Sequence, residues 1–288
     1  MDDRLILGCA LNLSDGRRQE VIDLAAGASS AVHVLDISSD ADHNRTVLTL
    51  CGNPGLLVDA VIEVARVAIE QIDLRQQSGV HPRLGALDVV PFYPLRSAPM
   101  EAAVAAARLC ARRLWRELGL PVFLYGEAAA SESTKALPWI RRNAFAGRFP
   151  DLGGRSPHPS AGAAVVGARG LLVAYNVELD TQNPAAARAI AATVRSAHAG
   201  MVRTLGLYLP SRALAQVSMN ILSPSNFTLA EAFDAVAGEA AKAGIAVLGS
   251  EVVGLVPRAC LSAAGVKALG LRKTPKVLEE EVDRLFAD

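Results

Sequence analysis

The sequence predicts an α+β protein built from two ferredoxin-like sandwich subdomains with a cleft or tunnel between them. Two observations support this fold class. Short apolar runs rich in β-branched residues alternate with longer segments whose apolar residues recur at helical spacing, and the order β-α-β-β-α-β occurs twice along the chain. A length of 288 residues is also sufficient for two domains.

The first set of six elements occupies the first third of the chain. Asn53-Pro54 predicts the start of a long amphipathic helix, because asparagine caps free N–H groups and proline suits the first helical position. Ser14 or Asp15 is the predicted cap of an earlier helix, over residues 17–26, that ends at Gly27. The predicted strands are residues 5–10, 31–37, 46–50 and 87–92, of which the middle two form a hairpin.

A second long helix and a long irregular stretch follow. Helical periodicity covers residues 100–118, with Ser97 as the predicted cap. After a short strand at residues 121–125, the chain lacks a regular pattern over residues 126–162, apart from one short helix near residues 137–141. Loops of this length in folded domains are commonly functional or mobile, so this stretch is a candidate for either role.

The second half of the chain repeats the same order of elements. Asn183-Pro184 begins one helix, and Thr228 with Glu231 forms a capping box at the start of the next. The charged segment 274–286 predicts a surface helix. The predicted strands are residues 163–167, 171–177, 202–209, 215–221 and 246–253, and the predicted domain limits are 1–162, 163–270 and, for the helical tail, 271–288.

Composition argues against several classes of function. The chain carries 29 Lys and Arg against 29 Asp and Glu, and aromatic residues make up only 5%, which disfavours binding to nucleic acid or to an anionic membrane. An acidic N-terminus without a membrane-length apolar run predicts neither a signal peptide nor a spanning segment, hence a cytoplasmic protein. Scattered cysteines predict buried, reduced side chains rather than metal or redox sites: Cys9, Cys51, Cys110 and Cys260.

Several well-known catalytic motifs are missing. The sequence has no P-loop, no dinucleotide fingerprint after a strand, no G-x-S-x-G element and no histidine pair at metal-ligand spacing. Chemistry would then fall to His81 as a general acid or base, in a loop that Pro82 stiffens and that Gly79 and Gly85 flank. A solvated or helix-capping histidine would show the same pattern. A second polar cluster, residues 36–45, is either part of a site or a solvated hairpin turn.

Several segments, in order and nearly without gaps over residues 5–270, match one known family. They include N-L-S-D-G at residues 12–16 and the run G-V-H-P-R-L-G-A-L-D-V-V-P-F at residues 79–92. The others are residues 42–47, 72–75, 121–129, 162–169, 174–177, 215–220 and 249–257. Together these segments resemble the glutamate formiminotransferases.

The resemblance implies two ferredoxin-like subdomains with folate in a tunnel between them. It also implies transfer of a formimino group from N-formimino-L-glutamate to N5 of tetrahydrofolate, in histidine breakdown and one-carbon metabolism, by an enzyme that needs no metal and is usually a homodimer. His81 resembles the general acid/base of the family, and an imidazole of near-neutral pKa suits both proton transfers. The resemblance assigns folate binding to Gly153, Gly154, Arg155, Ser156, Pro157, His158, Pro159, Ser160, Ala161 and Gly162, and substrate binding to Asn12, Ser38, Asp40, Arg45 and Arg83.

Three positions depart from the family pattern. Ser38 stands where relatives have an aspartate, Val80 where they have a glutamate, and Ala161 where some have a tryptophan. The lost carboxylates leave open an alternative, a catalytically silent relative that binds folate or a partner protein, and a transferase that works without folate is a third possibility. Arg45 and Arg83 either bind carboxylates of the ligands or form structural ion pairs. Because no cyclodeaminase domain follows, deamination is not expected.

Overall fold

Two structural units make up the chain, Met1–Gly170 and Leu171–Asp288. The computed structural model describes residues 5–96, 98–261 and 269–286. Each unit combines one main sheet with helices, which confirms the predicted α+β class. The observed division follows residue 170, whereas the sequence placed the domain limit at residue 162.

The first unit contains a six-stranded sheet. In chain order its strands are β1 (Ile6–Leu13), β2 (His33–Asp40), β3 (Arg45–Gly52), β4 (Leu87–Leu95), β5 (Val122–Gly126) and β6 (Ala164–Ala168). They are arranged β2-β3-β1-β4-β6-β5, and the first four pair antiparallel, which confirms the predicted ferredoxin-like arrangement. β6 lies between β4 and β5 and runs parallel to both. The sequence assigned β6 to the second domain, because a local pattern does not reveal which distant strand will be its partner.

Three helices cover one face of this sheet, α1 (Gln19–Ala28), α2 (Pro54–Gln71) and α3 (Met100–Leu118). Alternate strand residues point toward these helices, so Leu11 and Leu50 share one apolar core with Leu57 and Leu114. Removal of this apolar surface from water is the main force that holds the helices against the sheet. The other residues of the strands are thereby left to face the opposite side.

The helix ends agree with the predicted caps in part. The Asn53 side chain accepts a hydrogen bond from the Gly55 N–H at 2.9 Å, as predicted. Asp15 lies just before α1, and its carboxylate accepts from two backbone N–H groups. Gly27 does not end α1, because an internal glycine costs a helix only about 1 kcal/mol and packing outweighs that cost. Ser97, the predicted cap of α3, lies outside the described residues.

The face of the first sheet opposite α1, α2 and α3 has an apolar part and a polar part. α4 (Leu137–Asn143), the short helix predicted within the irregular stretch, packs Ile140 against Phe123 and Val165. Beside this cluster the face becomes polar, where Asn12 of β1 pairs in register with Val89 of β4. The side chains of the candidate site collect at this boundary.

The second unit contains a four-stranded antiparallel sheet and two packed helices. Its elements are β7 (Val173–Leu179), α5 (Pro184–Ala197), β8 (Val202–Leu209), β9 (Leu214–Ile221), α6 (Leu229–Lys242) and β10 (Val247–Val253), followed by β11 (Leu255–Val256), β12 (Lys276–Val277) and α7 (Leu278–Leu285). The order β10-β7-β9-β8 confirms the second predicted ferredoxin-like arrangement. Thr228 and Glu231 form the predicted capping box of α6, and Asn183 caps α5.

The four cysteines all lie among the described residues, and each is buried and unpaired, as predicted. Burial raises the pKa of the Cys51 thiol to about 12 and that of the Cys260 thiol to about 11. Both thiols therefore stay protonated at neutral pH. In the part of the chain that the structure describes, no helix combines the length and the apolar character needed to cross a membrane.

Candidate active site

The loop that carries His81 is fastened to the turn between β2 and β3. The Val80 N–H donates to the Asp42 carbonyl oxygen at 3.0 Å. A Cβ atom at Gly79 would overlap the carbonyl oxygen of His43, so only glycine permits this close approach. The loop is therefore an ordered part of the first unit rather than a solvated connection.

Two contacts of the His81 ring bear on its tautomer. Nδ1 lies 2.8 Å from the carbonyl oxygen of Pro82 and 3.1 Å from Nη1 of Arg45. A carbonyl oxygen can only accept a hydrogen bond, whereas a guanidinium can only donate one, so the two contacts demand opposite tautomers. The shorter contact, to Pro82, favours a proton on Nδ1. Nε2 then carries the lone pair, and no described residue forms a hydrogen bond with it. The imidazole thus keeps one basic nitrogen for a ligand.

The surroundings of His81 favour its neutral form. Burial lowers the pKa of the imidazole, and the cations of Arg45 and Arg141 lower it further. The Pro82 carbonyl and the Asp88 carboxylate raise the pKa, but by less. His81 is therefore unprotonated at neutral pH, which is the form that a proton-accepting catalyst needs.

A β-bulge directs Asp88 into the site. Along the ladder between β1 and β4, Asn12 pairs with Val89 and Leu13 pairs with Leu87, so Asp88 is the extra residue on β4. A bulge takes a side chain out of the regular alternation and aims it in a new direction. The Asp88 side chain is fully buried. The strand itself thus supplies the charged centre of the site.

Two arginines and the backbone hold the Asp88 carboxylate. Oδ2 lies 2.8 Å from Nη2 of Arg45 and also pairs with Nη2 of Arg141, while Oδ1 accepts from the Leu84 N–H at 2.7 Å. Burial by itself would raise the pKa of Asp88, but Arg141 and Arg45 outweigh it and lower the pKa, so the group is ionised. Two cations share one anion, which leaves net positive charge beside His81.

Arg45 connects the other groups of the site. Its Nε donates to Asn12 Oδ1 at 2.7 Å, its Nη1 faces His81 and its Nη2 pairs with Asp88. Burial lowers the pKa of Arg45 to about 10, so the guanidinium remains charged. The structural ion pair that the sequence left open for Arg45 is therefore present, and it lies directly against the imidazole.

Arg83 has a different set of contacts. Its Nη2 donates to the His43 carbonyl oxygen at 2.9 Å, and its Nη1 approaches the Ser14 carbonyl oxygen at 3.4 Å. These bonds fasten the histidine loop to two neighbouring turns. The sequence offered carboxylate binding or an ion pair for Arg83, and bonding to backbone carbonyls was not anticipated.

Ser38 and Asp40 lie on β2, at the edge of the first sheet. Ser38 donates to Asp36 Oδ2 at 2.6 Å. Asp40 Oδ1 accepts a hydrogen bond from the backbone N–H of His43 at 2.8 Å and lies 3.0 Å from His43 Nδ1. The His43 ring is in turn near His81, with 6.1 Å between the two ring centroids. The structure thus connects Asp40 to the site through His43, whereas Ser38 is bonded along its own strand.

The predicted folate segment separates into two parts. Gly153 packs against Pro121 and Trp115, and the Arg155 guanidinium stacks on Phe149 at 4.8 Å from the ring centroid. The second part helps to enclose a depression of about 290 Å³ next to the histidine loop. The residues that line this depression are Leu74, Arg83, Leu84, Phe145, Pro157, His158, Pro159, Ser160 and Gly162.

Backbone hydrogen bonds hold the second part of this segment in place. The Ser160 carbonyl accepts from the Leu74 N–H at 2.8 Å, and the Ala161 carbonyl accepts from the Ala86 N–H at 2.9 Å. Ala161 itself is fully buried in the core beneath α2 and α3 and does not line the depression. Residues 157–160 and 162, rather than Ala161, thus line the depression.

Side chains that could bind a metal ion do not cluster in the described part of the chain. Across residues 5–96, 98–261 and 269–286, no three His, Cys, Asp or Glu side chains approach closely enough to hold an ion.

Two family models together match most of this chain. The family model described as formiminotransferase domain, N-terminal subdomain, matches residues 6–169, and the model described as formiminotransferase domain matches residues 174–283. The chain belongs to the formiminotransferase family. The interval between the two matches contains the division between the two structural units at Gly170.

Relatives from the formiminotransferase family are similar over most of this chain. Glutamate formimidoyltransferase of Streptococcus pyogenes serotype M1 is 40% identical over 270 residues, which cover 89% of this chain and 90% of the relative. The protein of that name from Thermoplasma acidophilum is 36% identical, with 89% of each chain covered. Formimidoyltransferase-cyclodeaminase of Mus musculus is 39% identical, and the match covers 90% of this chain. This chain spans about half of that relative, because the match covers 52% of its length.

The sequence did not single out three side chains that the structure brings to the candidate site: Asp88, Arg141 and Phe145. Asp88 stands within the matched run at residues 79–92, so its position was an available signal. Arg141 and Phe145 lie in the irregular stretch, where no periodic pattern could place them. Phe145 has φ +61°, a left-handed backbone conformation that bulky residues rarely adopt.

Proposed function

We propose that this chain transfers a formimino group from N-formiminoglutamate to N5 of tetrahydrofolate, with His81 as the general acid and base. The observation that carries the proposal is the contact of His81 Nδ1 with the Pro82 carbonyl oxygen, which favours a basic Nε2 that has no partner among the described residues. The names of the two glutamate formimidoyltransferase relatives support the choice of donor and of transferred group.

The transfer needs one proton to be taken and one to be given. Bound tetrahydrofolate supplies the nucleophilic nitrogen N5. His81 Nε2 accepts the proton that this nitrogen loses as its bond to the formimino carbon forms. His81 then gives the proton to the glutamate nitrogen as the original C–N bond breaks. General acid–base catalysis of this kind contributes about 10²–10⁴-fold to the rate.

The net positive charge around His81 suits a donor that carries carboxylates. Arg45 and Arg141 share the single carboxylate of Asp88, so one positive charge is not compensated within the cluster. Arg141 Nε is buried and lacks a hydrogen-bond partner among the described residues. An unsatisfied buried donor costs about 1–3 kcal/mol, and a bound carboxylate would remove that cost. We assign Arg141 to the binding of a carboxylate of the donor. Arg45 supports it by sharing Asp88 with Arg141, and Asn12 supports it by accepting a hydrogen bond from Arg45.

The depression next to Arg83 has features suited to part of tetrahydrofolate. Its volume of about 290 Å³ is close to the lower end of the usual range for small-molecule pockets. Leu84, Phe145 and Pro157 give it apolar walls for a planar ring, and His158 adds a polar group. Within the predicted folate segment, residues 157–160 and 162 are therefore the ones assigned to the ligand.

An assay of formimino transfer tests the proposal. The wild type, His81→Ala and Ser38→Asp are compared by the absorbance change of the folate product, with His33→Ala, an exposed histidine of β2, as the control. We expect turnover in the wild type and the control, and a loss of about 10²–10⁴-fold in His81→Ala.

Two other outcomes would contradict the proposal. A silent wild type that gains activity in Ser38→Asp would mean that the catalytic site has lapsed. Silence in all four proteins, with tetrahydrofolate still bound in calorimetry, would identify a folate-binding relative without catalysis.

The setting of the reaction is part of the same proposal. We propose a cytoplasmic homodimer that acts in histidine breakdown and needs no metal. Sedimentation equilibrium would measure the oligomeric state, and activity that persists after treatment with a chelator would support metal-independent chemistry. A monomer at assay concentration, or activity lost to the chelator and restored by one metal, would contradict the corresponding part.

A further inference from the structure

The sheet of the second unit has a polar face that the proposed acid–base chemistry does not use. Strand residues that alternate with the helix-facing core point to the side opposite α5 and α6. On this face Asn176 pairs in register with Glu251 on one side and with Ser218 on the other, and Glu178 pairs with Gln216. Glu178 and Gln216 are fully buried, and Asn176 is nearly so.

Gln216 has a buried oxygen atom without a partner. Its Nε2 donates to Glu251 Oε1 at 3.3 Å, and Asn176 Nδ2 donates to the same oxygen at 2.9 Å. The first contact fixes the orientation of the amide, because the reverse orientation would place two acceptor oxygens together. Gln216 Oε1 then lacks any hydrogen-bond donor within the described part of the chain. A buried acceptor of this kind destabilises the free protein, so it indicates a donor on a ligand.

The two carboxylates of this face differ in how they are neutralised. Glu178 pairs with Arg212 at 2.6 Å through Oε1 and with Arg272 through Oε2. Glu251 receives the two amide donors, and no described cation pairs with it. Among the described residues, the face therefore offers one negative charge without a paired cation, next to the unpartnered oxygen of Gln216.

We propose that Gln216 and Glu251 bind the two N–H donors of a planar N–C–N group. Such a group matches two neighbouring acceptors, and the charge of Glu251 strengthens its bond. Both proposed substrates contain this chemistry, as the formimino group of the donor and as the 2-amino-4-oxopyrimidine edge of the pterin ring. The choice of these two sources rests on the proposed function, whereas the acceptor pair rests on the contacts alone.

Direct binding tests this site without catalysis. The full chain is titrated with pterin by fluorescence and, separately, with formamidine by calorimetry. Gln216→Met removes the unpartnered oxygen at similar side-chain volume, and Glu251→Gln removes the charge. Gln182→Met and Asp180→Asn, at exposed positions of the same unit, are the matched controls. Thermal unfolding of each variant separates a loss of binding from a loss of fold.

We expect one of the two probes to bind about 10–100-fold more weakly to Glu251→Gln and about 5–10-fold more weakly to Gln216→Met, with both controls unchanged. The probe that is affected identifies the source of the N–C–N group. Gln216→Met should unfold at or above the wild-type temperature, because an unsatisfied group is gone, whereas loss of a merely structural side chain would lower that temperature.

The proposal is overturned if neither probe is affected by either substitution, or if both substitutions lower the unfolding temperature without changing binding. Its failure can be told apart from failure of the proposed function. A chain that binds a probe through Gln216 and Glu251, yet transfers no formimino group, would contradict the proposed function and leave the binding site in place.

Discussion

At the scale of single residues, the candidate site is a balance of three charges around one imidazole. Arg45 and Arg141 oppose a proton on His81, and Asp88 favours it. Because all three charged side chains are largely buried, water screens them weakly, and each substitution should change the pKa of His81 in a predictable direction.

Arg141→Gln should raise the pKa of His81. Removal of a nearby cation makes the imidazolium less unfavourable, so a proton binds at higher pH than in the wild type. Since the reaction needs the unprotonated ring, kcat/KM falls as the pH drops through this pKa, and we expect its acid limb to move to higher pH. The imidazole signals in NMR titrations would report the same shift.

Two companion variants test the cause of this shift. Arg142→Gln changes the next residue of α4, which is exposed, and should leave the acid limb in place. Asp88→Asn removes the anion and should move the pKa of His81 in the opposite direction, to lower pH. A shift of equal size in Arg142→Gln would show that the effect is one of overall charge.

Asp88→Ala should destabilise the first unit by about 3–5 kcal/mol, because two buried guanidinium groups and the Leu84 N–H would lose their common partner. Urea unfolding measures this loss. Asp59→Ala removes an exposed carboxylate that pairs with Arg113 and should cost only about 0–1 kcal/mol. Similar losses in the two variants would mean that burial is not the source of the difference.

At the scale of elements, two short turns between strands contain a residue with a positive φ angle. Asn44, with φ +48°, makes the turn between β2 and β3, and Ala213, with φ +51°, lies in the turn between β8 and β9. Asparagine tolerates the left-handed region, whereas alanine is strained there by about 1–2 kcal/mol.

Ala213→Gly should therefore stabilise the second unit by about 0.5–1.5 kcal/mol, because glycine adopts a positive φ without steric cost. The free energy of unfolding in denaturant measures this gain. Ala241→Gly, at an exposed position within α6, should have the opposite sign, a loss of about 1 kcal/mol. A loss in both variants would show that strain at Ala213 is not relieved by the substitution.

The element order was predictable from the sequence, and some element limits and pairings were not. Periodicity and the Asn53 and Thr228 caps are local, so they predicted the helices that follow them. Gly27 was misjudged because its neighbours' packing acts through space. The candidate site likewise depends on contacts between residues that are distant in the sequence. Arg45 contacts both Asn12 and His81, residues far apart in the sequence, and the bulge that aims Asp88 arises only when β1 and β4 pair.

At the scale of the whole molecule, charge is balanced while its distribution is uneven. The formal net charge is +0 at pH 7, yet the cluster around His81 is positive and Glu251 is an anion without a described cation. Local fields, not the total charge, would therefore select the ligands.

Zero net charge also predicts how the protein behaves in solution. We expect its solubility to be lowest near pH 7 and to rise at pH 5.5 and at pH 8.5, because charge repulsion between molecules is weakest at balance. Precipitation by polyethylene glycol at the three pH values would measure this. A solubility maximum at pH 7 would mean that exposed apolar surface controls association.

The position of β6 has a consequence for synthesis of the chain. β5 forms its ladder with β6, and β6 follows it by nearly forty residues, from Gly126 to Ala164. When β5 has just emerged from the ribosome, the growing polypeptide therefore exposes an apolar strand that cannot pair until β6 has been made. Nascent chains that stall within this interval should be the forms that molecular chaperones bind. A pause after residue 168 has emerged from the ribosome would find the sheet already able to close.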